Sequence, residues 1–199
     1  MPGINVLSGT TAVIPLDDVD TDRIIPARFL SRISRSGYGD LLFADVRGPE
    51  FPIDAPDATG ATILVTGTNF GCGSSREHAV WAIQQAGFQA VIAKTTDSAP
   101  GFSDIFRQNA ANCALLLVEL GTDDHEALAS LGSGAQVSID LSAQTVAFAG
   151  RRARFEIAPA TKAALMEGLD LIGTTLRYED DISRYESKMP EFAHPAAGR

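Results

Sequence analysis

Apolar positions along the chain follow two rhythms. Residues 61–65 (ATILV), 89–93 (QAVIA) and 114–118 (ALLLV) are short unbroken apolar runs, the pattern of strands buried on both faces. Between them, residues 75–86 place Ala79, Ile83 and Ala86 at helical spacing, and residues 102–112 do the same with Phe102, Ile105, Phe106 and Asn109. Gly87 stands where a helix C-terminus wants a left-handed residue. Strand, helix, strand, helix, strand predicts parallel pairing through right-handed crossovers.

The rhythm changes on either side of this block. Upstream, residues 10–16 are β-rich and lead through LDDVDTD into a short helix around IIPARFL. Residues 31–60 form a long excursion rich in Gly, Pro and Asp, with one apolar piece at 41–43; loops this long are usually functional or mobile. Downstream, 123–131 reads as a short helix. AQVSIDL, QTVAFA and ARFEIA then alternate like an antiparallel meander. Pro159 suits the first turn of a last helix at 160–165, closing near Gly168, and the segment from 180 onward is polar. The pattern predicts an α/β domain of mixed sheet type, one unit over 1–186 with a polar tail at 187–199.

Composition narrows the function classes. Sixteen Lys and Arg against twenty-five Asp and Glu give a net charge of −9, which speaks against a nucleic-acid binder, since those show a basic face. No run approaches the roughly 18 apolar residues of a membrane span. The N-terminus lacks the basic and apolar regions of a signal peptide. Cys72 and Cys113, the two cysteines, make no CxxC pair, which disfavours a zinc site or disulfide framework. They are too few for an iron–sulfur cluster. A cytoplasmic, soluble protein is expected.

The stretch NFGCGSSREHAVWAI (69–83) concentrates the candidate chemistry. Ser74 followed three residues later by Glu77 is a capping-box signature, sufficient by itself to explain the motif as a helix start. The same small residues could also present backbone N–H groups and the positive helix end to a carboxylate or phosphate. Arg76 opposes the helix dipole and is suited to grip a carboxylate by two parallel bonds. Asp17, Asp18, Asp20 and Asp22 cluster upstream. They fail the EF-hand pattern, and acids in such turns are most often solvated. Arg28, Arg32 and Arg35 are spaced to share a helix face. His78 lacks an oriented acid to make a Ser-His pair persuasive. His125 and His194 lie among polar residues and read as surface positions. Cys72, beside glycines, is a candidate reactive thiol with no second cysteine nearby in sequence.

Together with DVDTDRIIPARFL upstream, FSDIFRQNAAN downstream and MEGLDLIGTTLRYEDDISRYE near the C-terminus, the motif resembles the small subunit of 3-isopropylmalate dehydratase. The likeness runs in order over roughly residues 10–186. GSSRE is shared with the wider aconitase superfamily, while the IIPARFL and FSDIF pieces favour this branch. The resemblance implies a swivelling β/β/α domain, like the mobile fourth domain of aconitase. It also implies a separate large subunit carrying a [4Fe–4S] cluster whose iron activates the departing hydroxyl, with no metal bound by this chain. The implied reaction interconverts 2- and 3-isopropylmalate through isopropylmaleate, in leucine biosynthesis. A related hydro-lyase acting on citramalate, a homocitrate-type acid or a substituted maleate is the alternative. A binding module that kept the fold without the chemistry is disfavoured by the intact motif. By the same resemblance Ser74 is the general base. Ser75 and Arg76 hold the substrate, Asp22 faces the cleft, and the 29–36 stretch, with Arg32, lies near the substrate's variable group. Arg23 stands where the family more often has Gln, and 94–101 reads as a lengthened loop.

Overall fold

The computed structural model describes residues 3–31, 34–74 and 76–190. Seven strands form one sheet in the order β4-β3-β2-β1-β5-β6-β7. Its parallel half is β1 (Val6–Ile14), β2 (Ile63–Thr66), β3 (Ala90–Thr95) and β4 (Leu116–Gly121); its antiparallel half adds β5 (Gln136–Asp140), β6 (Thr145–Phe148) and β7 (Arg151–Arg154). The mixed α/β architecture is the predicted one.

β1 begins four residues earlier than its apolar pattern suggested. Val6 to Thr10 pair antiparallel with β5, and Thr11 to Ile14 pair parallel with β2. The first half is partly exposed, so apolar content alone did not mark it. At the far edge, β7 carries Arg151, Arg152 and Arg154 outward around a single buried Ala153, charges that discourage pairing with another edge.

Alternation along the strands divides the interior into two layers. Leu64 and Val91 face a layer built with Ala79, Val80 and Ile83 of α2 (Glu77–Gln85) and Phe106 and Ala110 of α3 (Asp104–Asn112). Ile63, Val65, Ala90 and Ile92 face the other, with Leu128 of α4 (Thr122–Ala129) and Leu165 of α5 (Pro159–Glu167). Each fully buried aliphatic side chain contributes about 1.5–3 kcal/mol, which is why β2 tolerates no polar residue before Thr66.

The excursion between β1 and β2 holds α1 (Thr21–Ile24) and short 3-10 turns rather than strands. Its apolar piece plugs the core, with Leu42 and Phe43 essentially inaccessible. Gly168, at φ +69, ends α5 as expected. Two further helices follow, α6 (Leu171–Leu176) and α7 (Glu179–Glu186); the sequence pattern ends its last helix near Gly168 and marks the chain from 180 onward only as polar. Asp170 caps α6 by accepting from Gly173 N at 2.6 Å. α7 has no buried residue, so a core-directed stripe was absent by nature. Among the described residues no helix is long and apolar enough to cross a membrane.

Candidate active site

Three loops leave the carboxyl ends of the neighbouring parallel strands β1, β2 and β3, where open α/β sheets place their ligands. The middle one, 67–74, carries the small residues and Ser74. Its neighbours grip it on both sides. Toward β1, Gly71 N donates to Val19 O at 2.8 Å and Thr21 N to Cys72 O at 3.1 Å. Toward β3, Asn69 N donates to Pro100 O and Phe70 N to Gly101 O, both at 2.8 Å.

The aspartate cluster is part of this grip. Asp17 Oδ1 accepts from Thr68 N at 2.6 Å and from Thr68 Oγ1 at 3.0 Å, and those bonds hold its carboxyl below the usual range. Asp18 accepts from Asn69 Nδ2 at 2.7 Å. Both members of that pair sit in the left-handed region, Asp18 at φ +52 and Asn69 at φ +54, a conformation Asn and Asp tolerate better than other side chains. Asp20 caps α1 through Arg23 N at 2.7 Å. Asp22 accepts from Arg76 Nη1 at 3.2 Å. Reading these acids as solvated turn residues missed their roles, because each finds its partner across a loop or at a helix end rather than in local sequence. Among the described residues no group of three or more His, Cys, Asp and Glu is placed to hold a metal ion.

The capping box is not formed. α2 starts at Glu77, its N-cap is Arg76, and no side chain caps it. Pinning at Val19 and Thr21 carries the chain past Ser74 before the helix can begin, so Ser74 lies outside the helix with an exposed side chain. Glu77 instead accepts from the Cys113 thiol at 3.3 Å. Gly71, at φ +74, cannot carry a side chain, since a Cβ there would stand 2.3 Å from Phe106 Cγ. Phe106, buried edge-on to Phe70 at 5.4 Å between centroids, forms the floor under the loop.

Of the five expected site residues, the structure brings Asp22 and Arg76 into contact and puts Ser74 on the loop between Cys72 and Arg76. Ser75 and Arg32 lie outside the described residues. Among the described residues the expected helix face of Arg28, Arg32 and Arg35 is not helical: Ala27–Phe29 is one 3-10 turn and residues 34–36 lie outside any helix. Arg28 forks onto Asp45, and the Arg35 guanidinium lies 5.1 Å from the Trp81 ring centre. Gln85 clasps the latter segment, donating to Arg35 O at 2.7 Å and accepting from Tyr38 N at 2.9 Å.

The other candidates are quieter. Burial, reinforced by Asp20 and Asp18, pushes the Cys72 thiol up, which disfavours the thiolate a nucleophile needs. Burial and the Glu77 bond push Cys113 up to about 12. His78, held down mainly by burial, packs against Trp81 at 4.6 Å. His125 is not a surface residue: it is buried with Nε2 2.7 Å from Thr66 O. The 94–101 segment is compact, with Thr96 N donating to Ala99 O at 2.9 Å and Ala99 N to Thr96 Oγ1 at 3.0 Å. Ser103 escaped notice in the sequence, although Ser before an acidic first helical turn is an N-cap signature. It caps α3 and also donates to Gly71 O at 2.6 Å.

The chain is similar to known proteins over most of its length. The family model described as "Aconitase C-terminal domain" matches residues 1–123. A protein of Roseiflexus castenholzii named "3-isopropylmalate dehydratase small subunit" is 46% identical over 201 residues, covering 96% of each chain. Proteins of the same name from Rubrobacter xylanophilus and Bacillus cereus are 42% and 40% identical, covering 96% and 95% of this chain and 97% and 98% of their own lengths. A crystal structure titled as 3-isopropylmalate dehydratase of Methanocaldococcus jannaschii superposes with a TM-score of 0.69 at 29% identity, covering 90% of this chain and 99% of the other.

Proposed function

Because the chain belongs to the 3-isopropylmalate dehydratase small-subunit family of the aconitase superfamily, we propose that it interconverts 2- and 3-isopropylmalate as one half of a two-subunit hydro-lyase. The observation that carries the proposal is the contact of Arg76 with Asp22 beside the exposed Ser74. A guanidinium steered by a carboxylate, two residues from an exposed serine on the loop before a helix, suits a dicarboxylate undergoing proton abstraction.

Ser74 is the base in this scheme. Its oxygen, ionised, takes the proton from the carbon adjacent to the hydroxyl-bearing one. The hydroxyl departs with its bonding electrons as hydroxide, giving isopropylmaleate and a neutral Ser74. Hydroxide then adds to the carbon that lost the proton, and the proton held on Ser74 goes to the carbon that lost the hydroxyl, so that the serine ends ionised as it began. A serine hydroxyl is a poor base in water. Cationic and dipolar neighbours favour its charged form, and Arg76 and the N-terminus of α2 are the groups at hand. Arg76 and Ser75 hold the substrate's carboxylates, and Arg32 contributes near its variable group.

The [4Fe–4S] cluster belongs to the large subunit in this proposal. The residues here do not fit one: a cluster takes three or four thiolates, and Cys72 and Cys113 are two raised-pKa thiols, one committed to Glu77. The open position of Ser74 and Asp22 supports a site completed by that partner. Residues 1–186 act as one unit, working in the cytoplasm.

The test is reconstitution. The chain is combined anaerobically with a cluster-loaded large subunit and given 2-isopropylmalate, and 3-isopropylmalate is measured. Turnover by the pair and by neither chain alone is expected. Preference for citramalate or a homocitrate-type acid in the same assay would reassign the substrate, and failure with all of them would remove the enzymatic reading.

A further inference from the structure

The grip on the serine loop from the α3 side converges on one hydroxyl. Beyond the bonds to Pro100 and Gly101, Ser103 N donates to Phe70 O at 3.2 Å. Ser103 Oγ then donates to Gly71 O at 2.6 Å. The same oxygen accepts from Phe106 N at 3.4 Å as the N-cap of α3. The first of these is a short, strong bond and the second is at the long limit, so the hydroxyl is placed for the loop more than for its own helix.

What it holds is the peptide joining Gly71 to Cys72. Gly71 and Gly73 both have positive φ, at +74 and +79, and glycine rotates freely in that region. The path from Gly71 through Cys72 and Gly73 to Ser74 therefore has two permissive joints. Thr21 N fixes the Cys72 carbonyl from one side, and Ser103 fixes the Gly71 carbonyl from the other. Without the second restraint, the first joint turns and the displacement grows toward Ser74.

We propose that Ser103 is a positioning residue for Ser74: its hydroxyl locks the Gly71–Cys72 peptide plane and so sets the direction in which the Ser74 oxygen meets the substrate. The proposal rests on Ser74 being the base. Ser103 itself touches no substrate. Arg76 is held separately, by α2 and Asp22, so the loss of Ser103 acts on turnover more than on binding.

Two variants separate positioning from helix capping. Ser103→Asp keeps a good N-cap but has nothing to donate to Gly71 O. Ser103→Thr keeps both the cap and the donor. In the reconstituted complex, Ser103→Asp is expected to lower kcat by about 10–100-fold, the scale of a small misplacement at a reacting centre, with a smaller change in KM, and Ser103→Thr to retain most of the turnover. In the full chain alone, amide hydrogen exchange over residues 71–74 should quicken in Ser103→Asp and not in Ser103→Thr. Wild-type kcat in the Asp variant, or a loss confined to KM, overturns the proposal. If the wild-type complex shows no turnover, the proposed function, and the base assignment with it, is what fails. Exchange then decides the contact alone, and unchanged protection in Ser103→Asp overturns it.

Discussion

Arg76 and Asp22, 54 positions apart in the chain, meet through one hydrogen bond of 3.2 Å from Nη1 to Oδ1. The bond joins the start of α2 to α1, and thereby the loops following β2 and β1. Both side chains are partly exposed, so the pair itself adds little to stability. Its consequence is direction: a long, flexible arginine is turned toward α1, which Thr21 N ties to the loop carrying Ser74 through the Cys72 carbonyl.

Replacing that arginine tests the carboxylate grip. Arg76→Lys keeps the charge but loses the planar fork, and KM should rise about 10–100-fold, the worth of a charge-assisted hydrogen bond. Asp22→Asn should give a smaller rise of the same kind. Neither should move the urea midpoint by more than about 1 kcal/mol equivalent, since exposed ion pairs contribute in that range. An unchanged KM in Arg76→Lys would remove Arg76 from substrate binding.

Ser74→Ala separates chemistry from architecture. Loss of a general base costs about 100- to 10,000-fold in kcat, whereas loss of an N-cap costs about 1 kcal/mol of stability. Since the cap position is Arg76 and not Ser74, kcat should collapse while the denaturation midpoint stays put. A stable, fully active variant would sink the base assignment. A destabilised one would mean that Ser74 caps the helix in solution.

Gly71→Ala should be costly for a reason visible in one distance. Its Cβ would fall 2.3 Å from Phe106 Cγ, at a φ of +74. Overpacking together with a left-handed alanine predicts a loss of about 2–4 kcal/mol, read as a lowered melting temperature. Adding Phe106→Leu should recover part of it, so the two changes should be non-additive. Strict additivity would show that the clash is relieved elsewhere.

Much of the parallel half was legible from apolar periodicity, because β2 and β3 are buried on both faces and α2 and α3 each turn one stripe inward. Less visible was whatever depends on partners distant in sequence. The early start of β1 is set by β5, and the true start of α2 by Val19 and Thr21. Ser74 and Glu77 satisfied a local capping rule that those tertiary bonds override. Asp17 and Asp18 offered a composition signal only, and their partners, Thr68 and Asn69, lie across the loop. α7 has no buried face for a periodicity to record.

Stability should fall on mild acidification. His125 donates from Nε2 to the Thr66 carbonyl at 2.7 Å, and its buried Nδ1 has no hydrogen-bond partner among the described residues. Burial first, and nearby Lys94 in addition, hold this imidazole below its ordinary 6.5, against the opposing pull of Thr66 O, Glu126 and Asp17. Burial holds His78 down as well. With the folded value depressed, the unfolded chain binds more protons once pH drops below 6.5. The contribution is therefore complete above that pH and is lost beneath it. The urea midpoint should fall from about pH 7.5 to about pH 5.5, and less steeply in His125→Gln, which can still donate to Thr66 O. A flat or rising midpoint would contradict the buried neutral ring.

The split pairing of β1 bears on how the chain can be divided. One strand serves as the last parallel member of one half and the first antiparallel member of the other, with the change of partner between Thr10 and Thr11. Cutting the chain after α4 would keep every loop of the candidate site yet strip β5 from Val6 to Thr10, baring a row of backbone donors and acceptors at the centre of the sheet. The segment that carries the candidate site and the segment that carries the meander thus share one strand, and moving either alone would leave half of β1 without its partner.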